Sequence, residues 1–123
     1  MSHGKLISRV LIVDDESLIA DTLAIILRRS GFEVVAVYSG EQAIDAAKML
    51  KPDILISDVM LGGITGIETA CQILQTQPDC EILLISGQAS IAGFGGISSD
   101  AHGFDVLAKP IHPQVILDRL NAA

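Results

Sequence analysis

Five short runs of aliphatic, largely β-branched residues recur along the chain: Val10–Val13, Glu33–Tyr38, Ile54–Ser57, Glu81–Ser86 and Phe104–Ala108. Several are apolar throughout rather than alternating. Strands read this way when helices cover both faces of their sheet. The stretches between them carry a helical period instead. From about Ser17 to Ser30, Ile19, Leu23, Ile26 and Leu27 form one apolar stripe, Arg28 and Arg29 suit the negative end of the helix dipole, and Gly31 supplies a left-handed stop. A second helix opens on Ser39-Gly40-Glu41-Gln42, read as a capping box, and ends before Pro52. A third opens on the box Thr65-Gly66-Ile67-Glu68 and ends before Pro78. The last opens at His112-Pro113, with His112 as its cap, and runs to about Asn121.

Repeated βα units of this kind predict an α/β fold with a parallel sheet between two helical layers. One stretch departs from the pattern. Between the fourth and fifth strands, residues 87–103 should hold a helix, yet Gly93, Gly95 and Gly96 cluster in its middle. Each interior glycine costs about 1 kcal/mol relative to alanine. The expectation is a degenerate fourth helix, short, displaced or mobile, with Ile91, Phe94 and Ile97 as the residues that packing would have to recruit for a normal one.

Composition bounds the rest. A length of 123 residues predicts one domain, 1–123, with its core at about 8–121. Half the residues are hydrophobic and 19% are charged, which excludes a disordered chain. No apolar run approaches the ~20 residues of a membrane helix, and Met1–Arg9 lacks the apolar core of a signal peptide. A soluble, cytoplasmic domain without membrane contact is expected. The net charge of −7 argues against direct nucleic-acid binding, which needs clustered Lys and Arg. Cys71 and Cys80 have no metal or redox spacing and read as reduced, inert thiols.

In an open α/β sheet, ligands bind beyond the carboxyl ends of the strands. Asp14-Asp15 follow the first strand, Asp58 the third, Ser86-Gly87 end the fourth and Lys109-Pro110 the fifth. Taken singly, each has a plain structural reading; an Asp pair after a strand commonly caps the next helix. Their joint placement is far more specific. Two carboxylates ~4 Å apart repel by about 4 kcal/mol at an effective dielectric near 20, so a proton or a cation has to relieve them. An all-oxygen site with room for water suits Mg2+. A hard cation, a lysine and a hydroxyl around one carboxylate would stabilise a phosphoryl group, with Asp58 as the candidate nucleophile.

These residues carry a resemblance. Val10-Leu11-Ile12-Val13-Asp14-Asp15-Glu16, Pro52-Asp53-Ile54-Leu55-Ile56-Ser57-Asp58-Val59-Met60, Ser86-Gly87 and Lys109-Pro110 resemble, in order and spacing, the CheY-like receiver domain of two-component response regulators. The resemblance implies the flavodoxin-like (βα)5 sandwich with strand order 2-1-3-4-5. It implies that Asp58 is the phosphoacceptor, forming an aspartyl-phosphate with a phosphoryl group from a sensor histidine kinase or a histidine phosphotransfer protein. It also implies that Asp15, Asp58 and the backbone carbonyl of Met60 ligate Mg2+, for which Mn2+ can substitute, with Asp14 acting mainly through water. Ser86 would hydrogen-bond the phosphoryl oxygen, Lys109 would pair with Asp58 or its phosphate, and the Lys109–Pro110 bond would be cis. Gly87 would leave access to the phosphorus, and Gln88 would lie where the family tunes hydrolysis. The domain would promote only its own phosphorylation and dephosphorylation rather than act as an enzyme on another substrate. Its output would pass to a downstream effector that the sequence does not name, with homodimerisation as one route.

Three departures stand out. Gly62, followed by Gly63, replaces the proline usual four residues after the acceptor, which makes that loop more flexible. Val106 replaces the aromatic usual three residues before the lysine, half of the family's switch, and Phe104, of the same strand parity, is the substitute to consider. The glycine-rich stretch lies on the face that relatives use for partners. From these departures the sequence suggests that phosphorylation of Asp58 orders residues 88–103. The competing reading is an interaction or dimerisation module with little phosphorylation-driven change. Enzymatic readings fit worse. An aspartyl-phosphate phosphatase usually carries Asp-x-Asp after its first strand, and a flavodoxin needs a Ser/Thr/Gly phosphate loop where Asp14-Asp15-Glu16 stand.

Overall fold

The computed structural model describes residues 7–87 and 103–121. The expected fourth helix and Gln88 fall outside these residues. Five parallel strands form one sheet: β1 (Arg9–Val13), β2 (Glu33–Val37), β3 (Ile54–Asp58), β4 (Glu81–Ser86) and β5 (Asp105–Ala108). Their order is β2-β1-β3-β4-β5. The described helices are α1 (Ser17–Arg29), α2 (Gly40–Leu50), α3 (Gly66–Thr76) and α4 (Pro113–Asn121).

The uniformly apolar strands sit where that pattern requires. All of β3 is buried, as is β1 after its first residue, because apolar layers cover both faces. On one face Val10, Ile12, Ile54, Ile56, Leu83 and Ile85 meet Ala20, Ala24 and Leu27 of α1 and Ile116 and Leu120 of α4. On the other, Leu11, Val13 and Leu55 meet Ala43 and Ala47 of α2 and Ala70 and Ile73 of α3. The edge strands β2 and β5 are only partly covered.

The helix ends follow local chemistry. Gly31 closes the turn after α1 at φ 101°, where an L side chain would be strained. The box at α3 forms in full: the Thr65 hydroxyl accepts the Glu68 N–H at 3.0 Å and the Glu68 carboxylate accepts the Thr65 N–H at 3.2 Å. The box expected at α2 forms only by half. Ser39 Oγ accepts the Gln42 N–H, but the Gln42 side chain reaches one residue too far and accepts the Tyr38 N–H instead. His112 caps α4, its Nδ1 accepting the Gln114 N–H at 3.0 Å. Replacing Thr65 by alanine removes one arm of the only complete box among the described helices. It should lower stability by about 1 kcal/mol, read as a reduced urea midpoint with an unchanged m-value.

Candidate functional site

Parallel register levels the strand ends. Val13 pairs with Val37 and Ser57, Asp58 with Ile85, and Ser86 with Ala108. Each ladder then runs one residue further: the N–H groups of Asp14, Val59 and Lys109 donate to the carbonyls of Val37, Ile85 and Ser86. The side chains of Asp14, Asp58 and Lys109 therefore converge at one edge of the sheet.

Lys109 Nζ lies 3.0 Å from Asp58 Oδ2 and 3.2 Å from Asp14 Oδ2. Glu16 Oε1 approaches the same ammonium at 3.9 Å. Asp14, Asp15 and Asp58 each offer a carboxylate oxygen within 4.8 Å of the others. Asp14 and Asp58 are buried, at 5% and 8% exposure, whereas Asp15 faces solvent. Asp14 divides its work. Its Oδ1 accepts the Glu16 N–H at 2.9 Å and fixes the turn into α1, while Oδ2 faces Lys109. The capping reading of the Asp pair and the functional one thus share a single side chain. Asp58 Oδ1 accepts the Met60 N–H over a long 3.4 Å.

The electrostatics follow from burial. Desolvation pushes the Asp58 carboxyl above the ordinary carboxylate range; the Lys109 hydrogen bond and charge and the Met60 N–H pull it down, but Asp14 adds to the rise and the balance stays upward. Burial alone would lower the Lys109 ammonium, but the hydrogen bonds and charges of Asp58 and Asp14 outweigh it and hold Lys109 above the usual lysine value. A single ammonium thus serves three carboxylates and leaves one acid under strain.

The donor set suits a hard cation. Three carboxylate oxygens within 4.8 Å of one another, those of Asp14 and Asp58 on buried residues and that of Asp15 facing solvent, are the all-oxygen donors that Mg2+ takes, with waters completing its shell.

The remaining expected residues line the same edge. Ser86 is fully buried, and its hydroxyl donates to the Gly87 carbonyl at 3.3 Å. Among the described residues, nothing lies within 4 Å of where a Gly87 Cβ would sit. The Lys109–Pro110 bond is cis. Val106 and Phe104 pack together on the small Val59–Leu84 cluster, in accord with their shared parity. Gly62 faces Asp15, whose Oδ2 lies 3.9 Å from where its Cβ would be. Two features were not singled out from sequence. Glu16 is a third acidic neighbour of Lys109, signalled only by following Asp15 directly. Gly66 lets the start of α3 press against the Asp58 backbone: a Cβ there would lie 2.9 Å from Ser57 Oγ and closer still to the Asp58 carbonyl oxygen.

Known proteins resemble this chain in sequence and fold. The model of the response regulator receiver domain matches residues 10–121. The DNA-binding response regulator MtrA of Mycobacterium leprae is 32% identical over 115 residues, 93% of this chain and 50% of MtrA. The chain thus spans about half the length of the curated relatives it matches. A CheY-like receiver domain from Methanospirillum hungatei superposes with a TM-score of 0.82 at 23% identity, covering 94% of this chain and 92% of that one. A response regulator from Burkholderia pseudomallei, solved with a phosphorylated aspartic acid, a calcium ion and citrate, superposes with a TM-score of 0.76 at 27% identity, covering 92% and 66%.

Proposed function

Since this chain belongs to the response regulator receiver domain family of two-component systems, we propose that Asp58 is its phosphoacceptor and that residues 1–123 act as one receiver unit. The observation that carries this reading is the Lys109 ammonium, seated 3.0 Å from Asp58 within a cluster of three carboxylates. The phosphorylated aspartic acid of the Burkholderia relative supports it.

In the proposed reaction an Asp58 carboxylate oxygen attacks the phosphorus of a phosphohistidine on a sensor kinase or phosphotransfer protein. The O–P bond forms, the P–N bond breaks, and the imidazole leaves. Lys109 offsets charge on the transferred group. The Ser86 hydroxyl leaves the Gly87 carbonyl to donate to a phosphoryl oxygen. Gly87 itself brings no side chain to the approach. Asp14, Asp15, Asp58 and the Met60 carbonyl would hold Mg2+, or Mn2+ in its place. The ion would supply charge neutralisation for the acids and the phosphoryl oxygens.

The domain turns over no other substrate in this reading, so it is a regulated acceptor rather than an enzyme. Phosphorylation changes which partner it binds, a downstream effector or a second copy, with Phe104 and Val106 on the Val59–Leu84 cluster as the packing that responds. The acidic charge of −7 supports a domain that does not itself hold nucleic acid; the DNA binding in the relatives' names belongs to those longer proteins. No described helix is long and apolar enough to cross a membrane, and we place the domain in the cytoplasm with its kinase.

Acetyl phosphate tests the cation requirement. With Mg2+ or Mn2+ the protein should acquire one phosphoryl group, seen as a mobility shift on a phosphate-affinity gel. Chelation by EDTA should return the shift to background. Equal labelling with and without the cation would contradict the proposal.

A further inference from the structure

The three acidic and basic strand-end side chains Asp14, Asp58 and Lys109 also close one end of a cavity of about 550 Å3 between α1 and the β5–α4 connection. The size lies inside the ~300–1,000 Å3 range of small-molecule sites, which are mostly apolar with a few convergent polar groups. Its walls fit that description. Ile19, Leu23 and Ile26 of α1 face Ile111, Pro113 and Ile116, with the sheet as floor. The rim is apolar as well: Leu18 is 78% exposed and Ile19 42%.

The charge at the closed end selects the ligand. Asp14 and Asp58 outnumber Lys109, and Asp15 and Glu16 stand beside them. All of Lys109's reach is already directed at carboxylates, so an anionic head would meet no free cation among the described residues lining the groove, whereas a cationic head would relieve the excess. We infer that the groove is a binding site for an amphipathic organic cation: an ammonium or guanidinium head on the Asp14–Asp58 end, with an apolar body between α1 and α4. This inference uses the carboxylates only as fixed charges and holds whether or not Asp58 accepts a phosphoryl group.

Normal-alkyl ammonium ions, kept below micelle-forming concentrations and free of divalent cations, test it by calorimetry and by NMR of the isoleucine methyls. Binding of n-octylammonium should saturate, and from butyl to octyl the affinity should rise about fourfold per added CH2. Shifts should concentrate on Ile19, Ile26, Ile111 and Ile116. Octanoate should fail to bind at the same concentrations. Asp14→Asn should weaken octylammonium tenfold or more. So should Ile19→Lys, an exposed-rim change whose remaining spectrum reports whether the fold is intact. Affinity independent of chain length, equal binding of octanoate, or shifts scattered away from the groove would overturn the inference. A groove that only a partner protein's helix fills would give no saturable octylammonium binding, and that result overturns it too.

Discussion

Replacing Asp58 by asparagine should abolish phosphorylation by acetyl phosphate and, in the same molecule, make the cation-free domain more stable. The first effect follows from chemistry. Asparagine is isosteric, but its amide is no nucleophile towards phosphorus. Asp14 is buried with one oxygen holding the Glu16 N–H and the other on Lys109, and Asp15 is exposed, so neither takes its place as acceptor. Labelling should fall to background.

The second effect follows from burial. The Asp58 carboxyl sits in a desolvated place beside Asp14, and Lys109 offsets only part of the cost of its charge, so its folded-state pKa lies above the ordinary 3.8. A carboxyl raised in this way binds its proton more tightly in the folded chain than in the unfolded one. Its contribution to stability is therefore unfavourable above the folded value and improves as pH falls through the window between that value and 3.8. The variant should lack this component. The stability difference between variant and wild type, measured by denaturation without divalent cation, should favour the variant at neutral pH and shrink on acidification through that window. Lys109 acts at the other extreme: its raised pKa gives stability that is full below 10.5 and lost only as pH climbs through the folded value. A variant less stable than wild type at neutral pH would mean that Lys109 fully compensates Asp58.

Replacing Gly66 by alanine should destabilise the domain by about 3 kcal/mol or more, at the upper end of what overpacking costs, and lower its melting temperature by roughly 10 °C or more. Helix propensity alone predicts the opposite sign, since alanine is favoured over glycine by about 1 kcal/mol inside a helix. The contact decides. The new Cβ would press on the Asp58 carbonyl oxygen and on Ser57 Oγ, which itself donates to that carbonyl at 2.9 Å. Backbone and a fully buried serine have nowhere to go, so α3 must lift from the end of β3. Cation affinity should fall together with stability, because the Met60 loop joins those two elements. An alanine variant as stable as wild type would show that α3 is loosely seated on the acceptor strand.

Much of this was legible in the residues because it depends on local pattern. Uninterrupted aliphatic runs place β1, β3 and β4 in the middle of the sheet, and parallel register then forces Asp14, Asp58 and Lys109 to one edge whatever the loops do. The Thr65–Glu68 box and the Gly31 stop are also local, and both formed as read. What escaped depends on tertiary distance. Gln42 satisfies the sequence rule for a box yet finds the Tyr38 N–H nearer to hand. Gly66 and Gly40 look like ordinary members of helix starts, but a Cβ at either would meet packed neighbours, Asp58 and Ser57 for one, Thr69 and Ile64 for the other. The reach of Glu16 to Lys109 crosses from one strand end to another, which no spacing along the chain encodes.

The central claim is that the phosphoryl group goes to Asp58. Borohydride reduction of protein labelled with acetyl phosphate and Mg2+ converts an aspartyl-phosphate to homoserine, which peptide mass spectrometry locates. The account predicts homoserine at position 58 alone, and none when Mg2+ is omitted. Homoserine at position 14 or 15, or an unmodified Asp58 in protein that has gained a phosphoryl group, would contradict it.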